Sequence, residues 1–469
     1  MERERLGSRL GFILISAGCA IGIGNVWKFP TVAAQNGGGI FVLIYLIFLA
    51  IMGIPIMTME FSVGRASQAS PVKMYNVLKP NDKKWRIHGY ASLAGNVLLM
   101  MFYTSVTGWM FQYFVYMITG KFTFESTPTP DAVKGVYEGM CGNVPMLILF
   151  VAIVCVLGFL ICSFNMQKGL EKISKIMMIA LLVLIIALAI HSLTLDGAKD
   201  GLKFYLLPNW ENVKNVGILN VIVAAMNQSF FTLSLGIGSM AIFGSFIGKD
   251  RALLGESVTI ACLDTFIAFT SGLIIFPAFF TYMGDGVLPT EEILKQTAGP
   301  GLIFETLPNV FINMPGGRIW GSLFFLFMSF AAFSTILAVF QNILSSVQEL
   351  TGWSKRKACI ICGASMFALS IPCLLGFNVL SNFHPLGGNS VILDLEDYLV
   401  SNILLPAGSL VFVLFCTNKF GWGFDNFIEE ANQGKGFKVK KWMKYYMRFV
   451  LPVIVGILLV YSIISPFVG

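Results

Sequence analysis

The chain alternates long apolar runs with short connections that hold most of its charge. Each run is about 20 residues or more, enough for a helix to cross the hydrocarbon core of a bilayer. Eleven are predicted, near 10–30, 38–63, 88–118, 144–162, 171–193, 216–243, 252–282, 317–348, 356–377, 391–416 and 447–467. The fold class expected is therefore all-α integral membrane. The first run follows a basic stretch, yet its length and its internal glycines argue for a retained span over a cleaved leader.

Lys and Arg collect in alternate connections. Arg3, Arg5 and Arg9, the 64–87 connection (Arg65, Lys73, Lys79, Lys83, Lys84, Arg86), Lys355-Arg356-Lys357 and the 435–448 run fall on one side, which the positive-inside rule makes cytoplasmic. Glu125, Asp131, Glu138, Asp196, Asp200, Asp285, Glu291 and Glu292 fall on the other. The N-terminus is then expected inside and, after eleven spans, the C-terminus outside.

Composition agrees, with 56% apolar residues, 12% charged and a mean hydropathy of +0.76. The net charge of +7 follows the cytoplasmic connections and forms no single patch, which excludes nucleic acid as a partner. Of nine cysteines, Cys155, Cys162, Cys262, Cys373 and Cys416 are read as packing residues inside helices, and Cys141 as an external thiol. Cys359 and Cys362 have C-x-x-C spacing but no second pair or neighbouring histidine, and His88, His191 and His384 stand isolated. With no nucleophile, base and acid set and no phosphate loop, no enzyme is expected. The external connections lack N-x-Ser/Thr acceptors, which points to a bacterial cytoplasmic membrane.

The first and sixth runs share a glycine-broken segment, Ala20-Ile21-Gly22-Ile23-Gly24-Asn25 and Ser234-Leu235-Gly236-Ile237-Gly238-Ser239. They lie five helices apart, an odd number, so the second copy must enter from the opposite side, giving a 5+5 inverted-topology repeat. The expected organisation is 1–193 as the first repeat, 194–416 as the second, and 417–469 as a connection and eleventh span of a single transport unit. Glycine lowers helix stability by about 1 kcal/mol relative to alanine, so both clusters predict unwound segments. Lipid cannot satisfy the freed backbone groups, so such breaks persist where they line a binding cavity. A single membrane glycine more often serves close helix packing. Two clusters in register point instead to a site.

Three motifs, Arg9-Leu10-Gly11-Phe12, Gly22-Ile23-Gly24-Asn25-Val26-Trp27-Lys28-Phe29-Pro30 and Asn36-Gly37-Gly38-Gly39, resemble the signature of neurotransmitter:sodium symporters, as does Phe231-Thr232-Leu233-Ser234-Leu235-Gly236. The resemblance runs from residue 3 through the eleventh run. Members usually have twelve helices, and eleven is similar to a short bacterial subgroup of tyrosine and hydrophobic amino-acid transporters.

The resemblance implies two sodium sites. One would use Ala20, Asn25, Thr232, Asp264 and the substrate carboxylate. The other would use Gly18, Ile21, Ala331, Ser334 and Thr335, bridging runs 1 and 8. Read alone, Ser334 and Thr335 would more often bond back to their own helix. Asp264 is unusual because an ionised carboxylate deep in a bilayer needs a cation or a proton. Chloride-dependent members carry a hydroxyl where this chain has Ala268, although Tyr45 and Gln228 match, so transport without chloride is expected, with Asp264 supplying the fixed charge.

The same resemblance implies that the amino-acid substrate contacts Cys19, Ala20, Ile21, Gly22, Ile23, Gly24, Leu99, Tyr103, Phe231, Thr232, Ser234, Ile237, Thr335, Ile336 and Val339. Amides near Gly22 and Gly24 with the Tyr103 hydroxyl would hold its carboxylate. The lining is apolar, and Ile237 replaces a bulkier aromatic, which favours tyrosine, tryptophan or phenylalanine over leucine or another aliphatic amino acid. Lys28 and Asp397 would form the outer gate beneath which Phe231 acts as lid, and Lys in place of the usual Arg implies a looser pair. Arg3 and Glu349 would form the inner gate, where Phe246 stands in place of a common Tyr. Glu60 either backs the unwound segments or reaches water. Runs 1, 2, 6 and 7 would rock against the rest. A sensor without coupled flux is the competing reading, and a homodimer is left open.

Overall fold

The computed structural model describes residues 6–122, 130–165, 167–214, 216–283 and 300–468. Among these the chain is helical, and extended pairing amounts to two isolated bridges, Gly38 with Pro208 and Arg251 with Lys435. Among the described residues eight helices are long and apolar enough to cross a membrane: Gly39–Ser67, Val144–Ser163, Gly169–Ser192, Leu253–Thr281, Gly317–Thr351, Lys355–Leu375, Ile392–Thr417 and Met443–Ile464. A bent pair, Arg9–Ala20 and Gly24–Gln35, meets at 53° and makes a ninth. The third run is a single 34-residue helix, Arg86–Thr119, and the sixth is Ile218–Thr232 followed by Ser239–Gly244. Both run where the expectation put them. They fall short in apolarity or length because one carries buried polar side chains and the other is broken.

The eighth span is 83% buried and forms the centre, while the fourth and eleventh, at 33% and 22%, lie at the periphery. Peripheral helices present Val156, Ile176, Val183, Ile190 and Ile457 outward, an apolar surface suited to lipid. The cysteine reading needs correcting at this point. Cys141 is buried, whereas Cys262 is exposed on the outer face of the seventh span. An outward cysteine on a lipid-facing helix face looks the same in sequence as one turned inward.

Five wide π-helical turns, Gly24–Lys28, Leu49–Gly53, Leu302–Thr306, Leu399–Leu404 and Tyr446–Val450, each end two residues before a proline. Proline lacks an amide hydrogen and its ring clashes with the carbonyl four residues back. One extra residue in the turn relieves that clash and lets the span continue past Pro30, Pro55, Pro308, Pro406 and Pro452.

The two breaks are local consequences of sequence. The first helix stops at Ala20, Ile21 is extended at φ −74° and ψ 98°, and winding resumes at Gly24. In the sixth span Ser234, Gly236 and Gly238 take φ of 50°, 93° and 71°, which ends one helix at Thr232 and starts the next at Ser239.

Candidate functional site

The breaks of the first and sixth spans face one another against the third and eighth spans. A Cβ on Gly22 would overlap the Tyr103 hydroxyl and Thr335 Oγ1, and one on Gly24 would sit 2.8 Å from the Phe231 ring. Glycine at both positions is what lets those side chains approach the backbone. Tyr103 Oη accepts from the Ile23 amide at 2.7 Å, and Ser234 Oγ donates to the Cys19 carbonyl at 3.2 Å. Between them lies a small void of about 10 Å³, lined by Cys19, Ala20, Gly24, Leu99, Tyr103, Phe231, Ser234, Thr335 and Leu405. That is about the room of one water, so these walls must part to admit a larger ligand.

On one side of the void, Asn25, Thr232 and Asp264 meet, all fully buried. Asn25 Nδ2 donates to Asp264 Oδ1 at 2.8 Å and to its backbone carbonyl at 3.1 Å, while Thr232 Oγ1 donates to Asp264 Oδ2 at 3.0 Å. The Gly22 amide donates to Asn25 Oδ1 at 3.3 Å. Among the described residues no ion pair reaches Asp264, so only dipoles compensate it. Gln228 donates to the Gly24 carbonyl at 2.8 Å nearby, and Tyr45 and Ala268 are buried.

On the other side, six backbone and hydroxyl oxygens converge from two spans, the Cys19 carbonyl among them at 3.3 Å from Thr335 Oγ1. Ser334 Oγ lies 3.3 Å from the Ile21 carbonyl and 2.9 Å from that of Ala331. Thr335 Oγ1 lies 3.2 Å from the Gly18 carbonyl and 3.4 Å from that of Ile21. The break leaves those first-span carbonyls without helical partners, so they are free to point at the eighth span. The second cluster is made of oxygens, and the first holds the Asp264 carboxylate, the Thr232 hydroxyl and Asn25 Oδ1 beside the Asn25 amide nitrogen, so both are rich in the oxygens that suit a hard cation.

Above the void, Lys28 Nζ reaches both Asp397 oxygens at 2.6 and 2.7 Å and Ser401 Oγ at 2.8 Å, and it stands 4.1 Å from the Phe231 ring centre. Lysine's three hydrogens are thus used on several partners in place of an arginine fork. At the opposite end Glu349 accepts from the Ser70 amide at 3.0 Å and hydroxyl at 2.7 Å, and Arg3 lies outside the described residues. What pins the N-terminal stretch there is a network missing from the sequence reading. The Gly7 amide donates to Glu171 at 2.8 Å, and Arg9 pairs with Glu256 at 2.9 Å. The Leu6 amide donates to the Phe246 carbonyl at 3.4 Å.

Ile237, Ile336 and Val339 are buried, but they do not line the small void. Leu405 does. It follows directly on the wide turn ahead of Pro406, and a leucine inside an apolar run carries no sequence signal of the face it takes. Glu60 is buried and accepts from the Gly236 amide at 2.5 Å, which decides between its two readings in favour of backing the unwound segment. His88, which has no metal-ligating neighbours among the described residues, is instead hydrogen-bonded on both ring nitrogens. Its Nε2 faces the Gly236 carbonyl at 3.1 Å and its Nδ1 the Tyr75 hydroxyl at 2.6 Å. A carbonyl only accepts, so Nε2 carries the proton and Tyr75 donates to Nδ1. Asn96 Nδ2 donates to the Ile237 carbonyl at 2.7 Å, a third tether on the same segment.

The profile of the sodium:neurotransmitter symporter family matches residues 3–143 and 138–467. The sodium-dependent transporter YhdH of Bacillus subtilis is 32% identical over 95% of this chain and 94% of its own length. A sodium-dependent transporter of Haemophilus influenzae is 30% identical over 98% of both. Among solved structures, MhsT in complex with L-phenylalanine superposes with a TM-score of 0.87 at 35% identity, covering 98% of this chain and 100% of that one.

Proposed function

We propose, from the premise that this chain belongs to the sodium:neurotransmitter symporter family and is a sodium-dependent, multi-pass membrane symporter, that it imports a hydrophobic L-amino acid without chloride. Tyrosine, tryptophan and phenylalanine are favoured over leucine and other aliphatic amino acids. The observation that carries this reading is the pair of oxygen-rich clusters on either side of one small void at the two helix breaks. MhsT, whose structure holds L-phenylalanine, supports the aromatic class.

One sodium is assigned to Ala20, Asn25, Thr232, Asp264 and the substrate carboxylate, the second to Gly18, Ile21, Ala331, Ser334 and Thr335. The substrate carboxylate is assigned to the amides at Gly22 and Gly24 and to the Tyr103 hydroxyl, and its side chain to the wall made by Cys19, Leu99, Phe231, Ser234 and Leu405. Because Asp264 brings its own charge, loading with sodium needs no accompanying anion. Opening to the outside separates Lys28 from Asp397 and Ser401 and lifts Phe231. Opening to the inside releases Gly7–Arg9 from Glu171 and Glu256. Sodium makes both clusters cohere, so it favours the closed arrangement of the first, sixth and eighth spans, and its loss inside loosens it. Residues 1–193 and 194–416 act as the inverted repeats, with the basic connections in the cytoplasm of a bacterial cell.

The test is uptake of labelled tyrosine, tryptophan and leucine into proteoliposomes under an inward sodium gradient, against potassium and against gluconate in place of chloride. Sodium-driven accumulation that survives gluconate is expected, strongest for the aromatic pair. Sodium-dependent binding without accumulation would make the protein a sensor, and loss of uptake in gluconate would remove the charge role of Asp264.

A further inference from the structure

A cavity of about 620 Å³ lies outside the site, between the start of the third span and the second half of the tenth. Ile87 and Ala91 wall it on one side, Leu404, Ala407 and Val411 on the other. The third span follows the tenth along Ile392–Leu404 but touches it far less along Leu405–Thr417. The cleft persists because both helices present small residues to it. A Cβ on Gly408 would overlap the Gly236 carbonyl, so the tenth span cannot fill the gap with a larger residue there. Its floor is Gly236 and Ile237, the back of the unwound sixth-span segment.

We infer that this cleft is a binding site for an anionic phospholipid, one acyl chain inserted between the third and tenth spans and the phosphate held at the 64–87 connection. The walls are apolar and lie within membrane spans, so the open side meets hydrocarbon, and an unfilled apolar gap there forfeits dispersion contacts that a chain restores. The mouth is apolar on its outer lip, with Ile87 72% and Phe420 83% exposed. Its polar end is lined by Lys84 and Asp82, and Lys83 and Arg86 flank them in the same connection, Arg86 bonded to the Pro80 carbonyl at 2.9 Å. Asp82 accepts from the neutral Lys84 amide at 3.0 Å, and three cations against this one acid leave the connection positive. That excess is the charge pattern that selects an anionic headgroup next to a span. A chain seated there packs directly behind Ile237.

The test uses the full-length protein reconstituted with phosphatidylglycerol that carries a diazirine near one chain end, irradiated and mapped by mass spectrometry. Labelling near Ala91 and Ala407 is expected at several times the level on the open faces around Val156 and Val183. Ala407→Phe, which fills the cleft, should lower it at least threefold, with Ala91→Leu on the opposite wall as a second filling variant and melting temperature as the folding control. Lys84→Ala should erase the advantage of phosphatidylglycerol over phosphatidylcholine as an unlabelled competitor. Labelling spread evenly over the lipid-facing helices, or unchanged in both folded filling variants, would overturn the site. Equal competition by the two lipids against the unsubstituted protein would overturn the headgroup assignment.

Discussion

Asp264 is a buried carboxylate that meets an amide, a hydroxyl and no cationic side chain among the described residues. Solvated by dipoles alone, a charge in this position is costly until a cation arrives. Asp264→Asn keeps the shape and removes the charge. The sodium concentration for half-maximal substrate binding should rise at least about tenfold, roughly 1.4 kcal/mol of lost affinity, as read from a sodium titration with labelled substrate. A value within twofold of the original would remove Asp264 from the proposed sodium site. Its partner across the site is Asn25 of the first span. Its amide is the donor that fixes the carboxylate, and it comes from a helix 239 residues away in sequence.

At the level of helices, the two breaks respond differently to a methyl group. On Gly22 a Cβ would strike the ends of two side chains, Tyr103 and Thr335, which can swing away. Gly22→Ala should therefore leave the fold in place and abolish substrate binding, since the displaced hydroxyl is the one that bonds Ile23. On Gly236 a Cβ would strike the Leu405 carbonyl, and φ of 93° is a conformation alanine avoids. Backbone cannot swing away, so Gly236→Ala should cost at least about 2 kcal/mol of stability. Thermal melts beside binding assays separate the outcomes, and equal melting of the two variants would contradict the argument. The tethers from Glu60, His88 and Asn96 to this one segment show how an unwound stretch is kept in register inside a membrane.

For the whole molecule, the site is a junction of the first, sixth, seventh and eighth spans, so a cation bound there links elements that must part for access. Sodium at about 100 times its dissociation constant should stabilise the folded state by about 2.7 kcal/mol, seen as a higher melting temperature in sodium than in potassium at equal ionic strength. No difference would mean that neither oxygen cluster binds the ion. In the conformation described, Lys28 is bonded to Asp397, and the stretch at Gly7–Arg9 to Glu171 and Glu256, the contacts that the proposed opening on either side would break.

The sequence by itself determined the helices, because a span needs only a continuous apolar run, and the breaks, because glycine acts on its own backbone. It also reached the two oxygen clusters, but only through resemblance, since Ser334 and Thr335 read alone are ordinary helix hydroxyls. Tertiary structure decided the rest. Leu405 lines the void directly after a turn widened ahead of a proline. His88 finds Gly236 across 148 residues, Glu171 and Glu256 catch a stretch far upstream, and Ile237 turns toward the cleft. Each depends on which face of one helix meets which face of another, and in a chain that is apolar on nearly every face the hydrophobic pattern no longer distinguishes inside from outside.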